Sequence, residues 1–281
     1  YWNGHYYGLP QNTSTQVLLW NKSVFDAAGI SGPPATLDEF AEVACALSDA
    51  DSDTYGFALG GTDFWELAPI FYAMGSRVTH ENIITATERI NGEESFAAFT
   101  LLTDLYNEGC LSPNLLGGGI GTADGHATGA YAMITDGPWI VDIYAEDYPD
   151  FDASFALVPA NAQGETSSVV GGEDVVMFTD SDVTDEAWSW MTFLVSEESQ
   201  KMMAEVGVMP ARLELAEDPD MPEYFGVFLE QLQTAQARVP HPKWPEMDNA
   251  IDNAFQRMLN GDQTPQEALD QAADEINQLL G

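Results

Sequence analysis

The apolar positions of the chain change period from one stretch to the next. Val17-Leu18-Leu19-Trp20 is a continuous apolar run of strand length, and Tyr55-Gly56-Phe57-Ala58-Leu59 reads as a second strand. Between them, Thr36 and Glu39 form a capping box behind Pro33-Pro34, which predicts a helix to about Ser48 with Leu37, Phe40, Ala41 and Ala44 on its apolar face. Trp65 to Met74 reads as a buried helix ending near Gly75. Phe96, Phe99, Leu102, Leu105 and Tyr106 recur at helical spacing up to Gly109. The glycine-rich stretch from Leu115 to Thr128 is expected to be a loop.

Gly129 to Ile134 predicts the next strand, followed by the turn Thr135-Asp136-Gly137-Pro138 and a helix opening at Trp139. Phe155 to Pro159 and Val175 to Phe178 read as short strands, with Asn161 to Ser168 as a polar connection between them. Helices are expected from Thr184 to Val195, rich in tryptophan, and from the Ser196 cap to Gly207. At the end of the chain, Thr264-Pro265-Gln266-Glu267 joins a capping box to a proline at the first helical position, with Ala268, Leu269, Ala272, Ala273, Ile276 and Leu280 facing a core. Strands alternating with helices predict an α/β fold on a mostly parallel sheet, without internal repeats.

Composition narrows the picture. The 281 residues contain 45% hydrophobic residues, enough for a folded core. No apolar run approaches the ~20 residues needed to span a bilayer. Against 46 Asp and Glu stand 8 Lys and Arg, a formal net charge of −38. Such a surface repels nucleic-acid backbones and anionic headgroups, and it disfavours an anionic ligand unless the few arginines converge. The acids are dispersed and read as a solvated surface, with adaptation to high salt as the sharper alternative.

Cys45 and Cys110 read as ordinary buried thiols, with a bridge between two helix ends as the rival. The run Asp49, Asp51, Asp53 lacks the glycine and the glutamate of a calcium loop, having Thr54 and Gly60 in their places. Glycines 117, 118, 119 and 121 form no nucleotide motif, no G-x-S-x-G elbow occurs, and His5, His80, His126 and His241 lack metal spacing. No catalytic residue, metal or cofactor is expected.

Five blocks occur in an order that resembles the extracellular solute-binding proteins of ABC importers, in the branch containing the maltose-binding proteins. These are Tyr7-Gly8-Leu9-Pro10 with the strand at Val17 and the helix at Thr36; Gly129 to Trp139 with its Gly-Pro-Trp ending; Gly171-Gly172; Trp188 to Arg212; and Pro242-Lys243-Trp244 through Asn277. The resemblance implies a two-lobe α/β fold of the type II periplasmic-binding-protein class, with ligand held between the lobes. It also implies that lobe one is incomplete, because the opening block lies about a third of the way along in that family. Residues 1–12 would be the hinge and the end of a lobe-one segment, 13–165 lobe two, 166–215 the returning part of lobe one, and 216–281 the C-terminal helices of lobe two. Trp190 and Met191 would then be left uncovered.

The implied function is non-catalytic: an extracellular or periplasmic protein, a monomer, that delivers a neutral solute, a mono- or oligosaccharide, to permease subunits. A lipid anchor through the absent N-terminal part is a further expectation. A sugar presents apolar ring faces edged by hydroxyls, so its site needs aromatic platforms beside carboxylates or amides. The expected ligand-binding residues are Asn12, Ser14, Asp63, Trp65, Trp139, Glu173, Asp174 and Trp244, and core packing is the competing role for Trp65 and Trp244. Arg212 is expected to bridge to a carboxylate. The alternative function is a secreted carbohydrate hydrolase working with paired carboxylates.

Overall fold

Leu18 and its neighbours Val17 and Leu19 are fully buried yet belong to different cores, because successive side chains of a strand point to opposite faces. In the computed structural model, which describes residues 4–216 and 218–281, the elements run β1 (Leu9–Pro10), β2 (Ser14–Thr15), β3 (Val17–Trp20), α1 (Lys22–Ala28), α2 (Leu37–Ala46), β4 (Tyr55–Ala58), α3 (Phe64–Ala73), α4 (Glu93–Asn107), α5 (Thr122–Thr128), β5 (Tyr131–Asp136) and α6 (Ile140–Asp147). They continue as β6 (Ser154–Ala156), β7 (Val170–Gly171), β8 (Asp174–Val175), α7 (Thr184–Leu194), α8 (Glu197–Ala204), α9 (Phe225–Leu232), α10 (Trp244–Leu259) and α11 (Pro265–Leu280).

The main sheet has the order β4-β5-β3-β6. One of its faces carries Leu18 and Phe57 and is covered by α2, α3, α4, α10 and α11. The other carries Val17, Leu19 and Ala58 and is covered by α6 and α9. This is the α/β layering expected, but the sheet is not mostly parallel. Only β4 and β5 run parallel, whereas β3 is antiparallel to both β5 and β6. Residue patterning reports burial on both faces and carries no direction, which explains the difference.

Two further corrections concern local structure. The glycine-rich stretch is not all loop, since Thr122–Thr128 forms α5 and buries Gly125 and His126. A Cβ on Gly125 would lie 2.2 Å from the Tyr131 ring, so this glycine is there for close packing and does not break the helix. The expected strand from Val175 to Phe178 is ordered as a strand only over β8, and Phe178 is 81% exposed.

Cys45 and Cys110 form a disulfide, which overturns their reading as free thiols. Cys45 lies in the last turn of α2 and Cys110 follows α4. Phe57 on β4 draws them together, because its N–H donates to the Cys110 carbonyl while β4 packs against α2. Spacing along the sequence cannot reveal this meeting.

The segment around α7 and α8 is joined to the rest through two-residue antiparallel pairings, β1 with β8 and β2 with β7. Trp190 is 59% exposed, whereas Met191, expected to be uncovered with it, is 6% exposed. Of the hinge segment 1–12, residues 1–3 lie outside the described residues. No helix is long and apolar enough to cross a membrane, among the described residues.

Candidate functional site

Trp139 stands where β5 ends. After Asp136 the chain turns through Gly137-Pro138, and Trp139 caps α6. Its ring lies across Gly137 so closely that a Cβ there would come within 2.1 Å of the indole. Trp65 approaches from the first turn of α3, which starts because the Asp63 carboxylate accepts the Trp65 N–H at 2.9 Å. The two indoles are 6.2 Å apart between centroids and inclined by 31°. A Cβ on Gly171 in β7 would lie 2.6 Å from the Trp65 ring and 2.4 Å from the Ser14 hydroxyl, so this glycine lets the hinge backbone reach the aromatic pair. The Arg238 guanidinium sits 5.4 Å from the Trp65 centroid, within cation–π range.

Two carboxylates flank these rings. Glu66 accepts the Gly60 N–H at 2.7 Å, and Asp136 accepts the Gly137 N–H at 2.7 Å. Burial pushes Glu66 up to about 7, against the opposing hydrogen bond from Gly60, and the charges of Asp136 and Asp63 push the same way. Burial likewise raises Asp136 to about 6, while the Gly137 N–H and the Trp139 side chain pull it down. An acid raised on folding binds its proton more tightly in the native state, so stability falls as pH climbs from 4.5 through about 7. Glu66→Gln keeps an acceptor for Gly60 and removes the buried charge. It should stabilise the protein by about 1–3 kcal/mol at pH 8 and leave pH 4 nearly unchanged. Urea midpoints at the two pH values check this, and an equal shift at both would contradict it.

The polar hinge residues form a second group. Asn12 Nδ2 donates to the Glu173 carboxylate at 2.5 Å, and the Glu173 N–H donates back to Asn12 Oδ1 at 3.1 Å. Asn12 and Asp174 line a cavity of about 590 Å³, together with Gly171, Gly172, Arg212 and Arg238. Ser14 is buried between this cavity and the indoles. Arg212 bridges to Glu214, as expected, and also donates to the Val195 carbonyl at 3.1 Å.

Trp65 and Trp139 are thus brought together. Asn12, Glu173 and Asp174 gather beside them, and Ser14 joins the groups. Asp63 is exposed at the α3 cap. Trp244 is half-buried and packs edge-on against Phe64, the neighbour of Trp65, with centroids 5.2 Å apart, on the border of the larger core that Trp65 also borders. Glu66, Asp136 and Arg238 were not singled out from the sequence. Two of these had a signal, since Glu66 directly follows Trp65 and Asp136 precedes Gly-Pro-Trp. Arg238 had none, because 65 and 238 meet only in the fold. The group Cys45, Glu108 and Cys110 has metal-ligand proximity, but its sulfurs are bonded to each other.

Residues 1–228 match the family described as bacterial extracellular solute-binding protein. A "putative binding protein" of Brucella abortus is 26% identical over 285 residues, spanning 99% of this chain and 69% of the relative. A galactooligosaccharide-binding protein of Bacillus subtilis is also 26% identical, over 95% of this chain and 64% of its own length. Among solved structures, an ABC transporter solute-binding protein of Thermotoga lettingae bound to α-D-tagatose superposes with a TM-score of 0.89 at 28% identity, over 98% of this chain and 72% of that one. A substrate-binding protein of Listeria monocytogenes in complex with cycloalternan gives 0.87 at 25% identity, over 100% and 73%.

Proposed function

The chain belongs to the bacterial extracellular solute-binding proteins, and from that premise we propose that it binds a neutral mono- or oligosaccharide beside the Trp65–Trp139 pair and presents it to the permease of an ABC importer outside the cytoplasm. The relatives reported above are named as binding proteins, not as enzymes. The observation that carries the sugar reading is the aromatic pair itself. It offers half-buried apolar faces beside the Glu66 and Asp136 carboxylates and next to the polar cavity at Asn12 and Asp174. That combination suits a ligand with apolar ring faces and hydroxyl edges.

In this reading residues 13–165 and 216–281 form one lobe, and 1–12 with 166–215 belong to the other. The pairing of β1 with β8 supports the division, since it ties the 166–215 segment to the opening residues, whereas the pairing of β2 with β7 crosses from one lobe to the other. Rotation about these crossing segments would let the lobes close on a ligand. None of the relatives reported above is named as a hydrolase.

Titration calorimetry with maltotriose, a galactooligosaccharide and D-tagatose tests the proposal. Binding of at least one without turnover is expected, and Trp139→Ala should weaken it about 30-fold, the loss typical of a buried aromatic anchor. Hydrolysis of a glycoside, or sugar affinity indifferent to Trp139, would overturn it.

A further inference from the structure

The few basic residues of this acidic chain are not spread evenly. Although the chain has only 8 Lys and Arg against 46 Asp and Glu, Arg77 and Arg89 line one cavity of about 510 Å³, between the loop after α3 and residues 236–240. We propose that this cavity is an anion site that takes the phosphate group of a small free ligand, either inorganic phosphate or a phosphate monoester. Neither indole of the aromatic pair lines it, and the site does not rest on the sugar reading.

Both guanidiniums are held by neutral groups. Arg77 Nη1 donates to the Ser76 carbonyl at 2.7 Å, and the guanidinium carbon stands 5.7 Å from the Tyr72 ring centroid. Arg89 Nε donates to His80 Nδ1 at 3.4 Å, while His80 Nε2 lies 3.0 Å from the Thr87 carbonyl, which can only accept. In the neutral ring the proton is therefore on Nε2, and Nδ1 is the acceptor for Arg89. This leaves the planar Nη1–Nη2 fork of Arg89, whose geometry matches two oxygens of a phosphate. Neither arginine forms an ion pair among the described residues, although Glu81 lines the same cavity. Guanidiniums without a carboxylate partner stand out where carboxylates are in such excess.

The walls of the cavity are pinned before any ligand arrives. Asn277 of α11 accepts the Ala86 N–H at 2.8 Å and the Thr85 hydroxyl at 3.0 Å, and the Ser95 hydroxyl donates to the Arg89 carbonyl at 2.7 Å. Across the cavity the Tyr72 hydroxyl donates to the Ala237 carbonyl at 3.3 Å. Such preorganisation lowers the entropic cost of binding. The field of the dispersed acids opposes an anion, but salt screens it beyond about 8 Å at physiological ionic strength, so the two guanidiniums lining the cavity set the local potential.

Calorimetric titration of the full chain at low salt, with inorganic phosphate and with glycerol 3-phosphate as probes, tests the site. Binding of at least one is expected, and Arg89→Gln should weaken it about tenfold or more, the loss of a charge-assisted hydrogen bond. Arg89→Lys keeps the charge without the fork and should lose less. Arg89 is exposed, so its replacement should leave the fold intact, which far-ultraviolet circular dichroism verifies. Lys22→Gln is the control, because it removes an equal charge from an exposed ion pair on α1. Equal losses in the Lys22 and Arg89 variants would show that net charge alone governs the anion and would overturn the site. Failure of both probes to bind, or an affinity unchanged in Arg89→Gln, would do the same. Cosedimentation with phosphatidylglycerol vesicles separates the two sources of phosphate. No retention is expected from a chain of this charge, and retention that Arg89→Gln abolishes would overturn the free ligand in favour of a lipid headgroup. No sugar enters these titrations, so failure of the sugar reading leaves their outcome standing.

Discussion

Replacing both Cys45 and Cys110 by alanine should lower unfolding stability by about 4 kcal/mol, the chain-entropy value for a cross-link spanning 65 residues. The loop it closes contains β4, α3 and α4, so the bond removes freedom from the unfolded chain across much of the larger core. Around it the native contacts are already made. The Ser48 hydroxyl donates to the Ala44 carbonyl at 2.8 Å and accepts the Gly56 N–H at 2.7 Å, and Phe57 binds Cys110 through its backbone. The variant should therefore keep its fold at low denaturant and unfold at a lower urea midpoint with a somewhat steeper slope, because the unlinked chain exposes more surface when it unfolds. A thiol assay on denatured, unreduced wild type should find no free cysteine. An unchanged midpoint would show that the bond adds nothing to the folded state.

Gly56→Ala should be nearly as costly. Gly56 is ordinary extended backbone, so its need for glycine is purely one of space. A Cβ would stand 1.8 Å from the Ala44 carbonyl oxygen and 2.5 Å from Ala44 Cα. Both obstacles are backbone of α2, which can yield only if the whole helix shifts away from β4 and strains the disulfide at its end. Overpacking against flexible side chains costs 1–3 kcal/mol, and a rigid obstacle should reach at least the top of that range, about 3 kcal/mol. The melting temperature should drop by roughly 6–12 °C, and Gly56→Val should not yield soluble folded protein. A Gly56→Ala melt within a degree of wild type would refute the close contact.

What the sequence revealed and what it hid follow a physical division. Helix starts at Thr36 and Thr264 were legible because a cap and its partner lie three residues apart; the reciprocal box forms at Thr264, whereas at Thr36 the cap forms and the Glu39 carboxylate accepts the Ala35 N–H. The α/β class was legible from alternation between strand and helix periods. Trp139 was legible through its local Gly-Pro-Trp turn. The antiparallel course of β3, the disulfide and the stacking of Arg238 on Trp65 all depend on residues far apart in the chain, and no local pattern encodes such meetings. Asp136 and Glu66 fall between these cases. Their neighbours drew attention, but their significance comes from burial, which only the packed structure supplies.

The uneven distribution of buried side chains has a consequence for how the molecule comes apart. The disulfide and the two faces of the main sheet secure one body, whereas the stretch holding α7 and α8 is attached to it by two-residue ladders and by Ala204 and Met209 in the second core, and leaves Phe178 and Trp190 in solvent. Free energy of opening tracks buried apolar contact, so amide protons of that stretch should exchange long before those of β3 and β5. Denaturation should then proceed in two steps. The first melts α7 and α8 at little cost, and the second, larger step carries the contributions of the disulfide and Gly56.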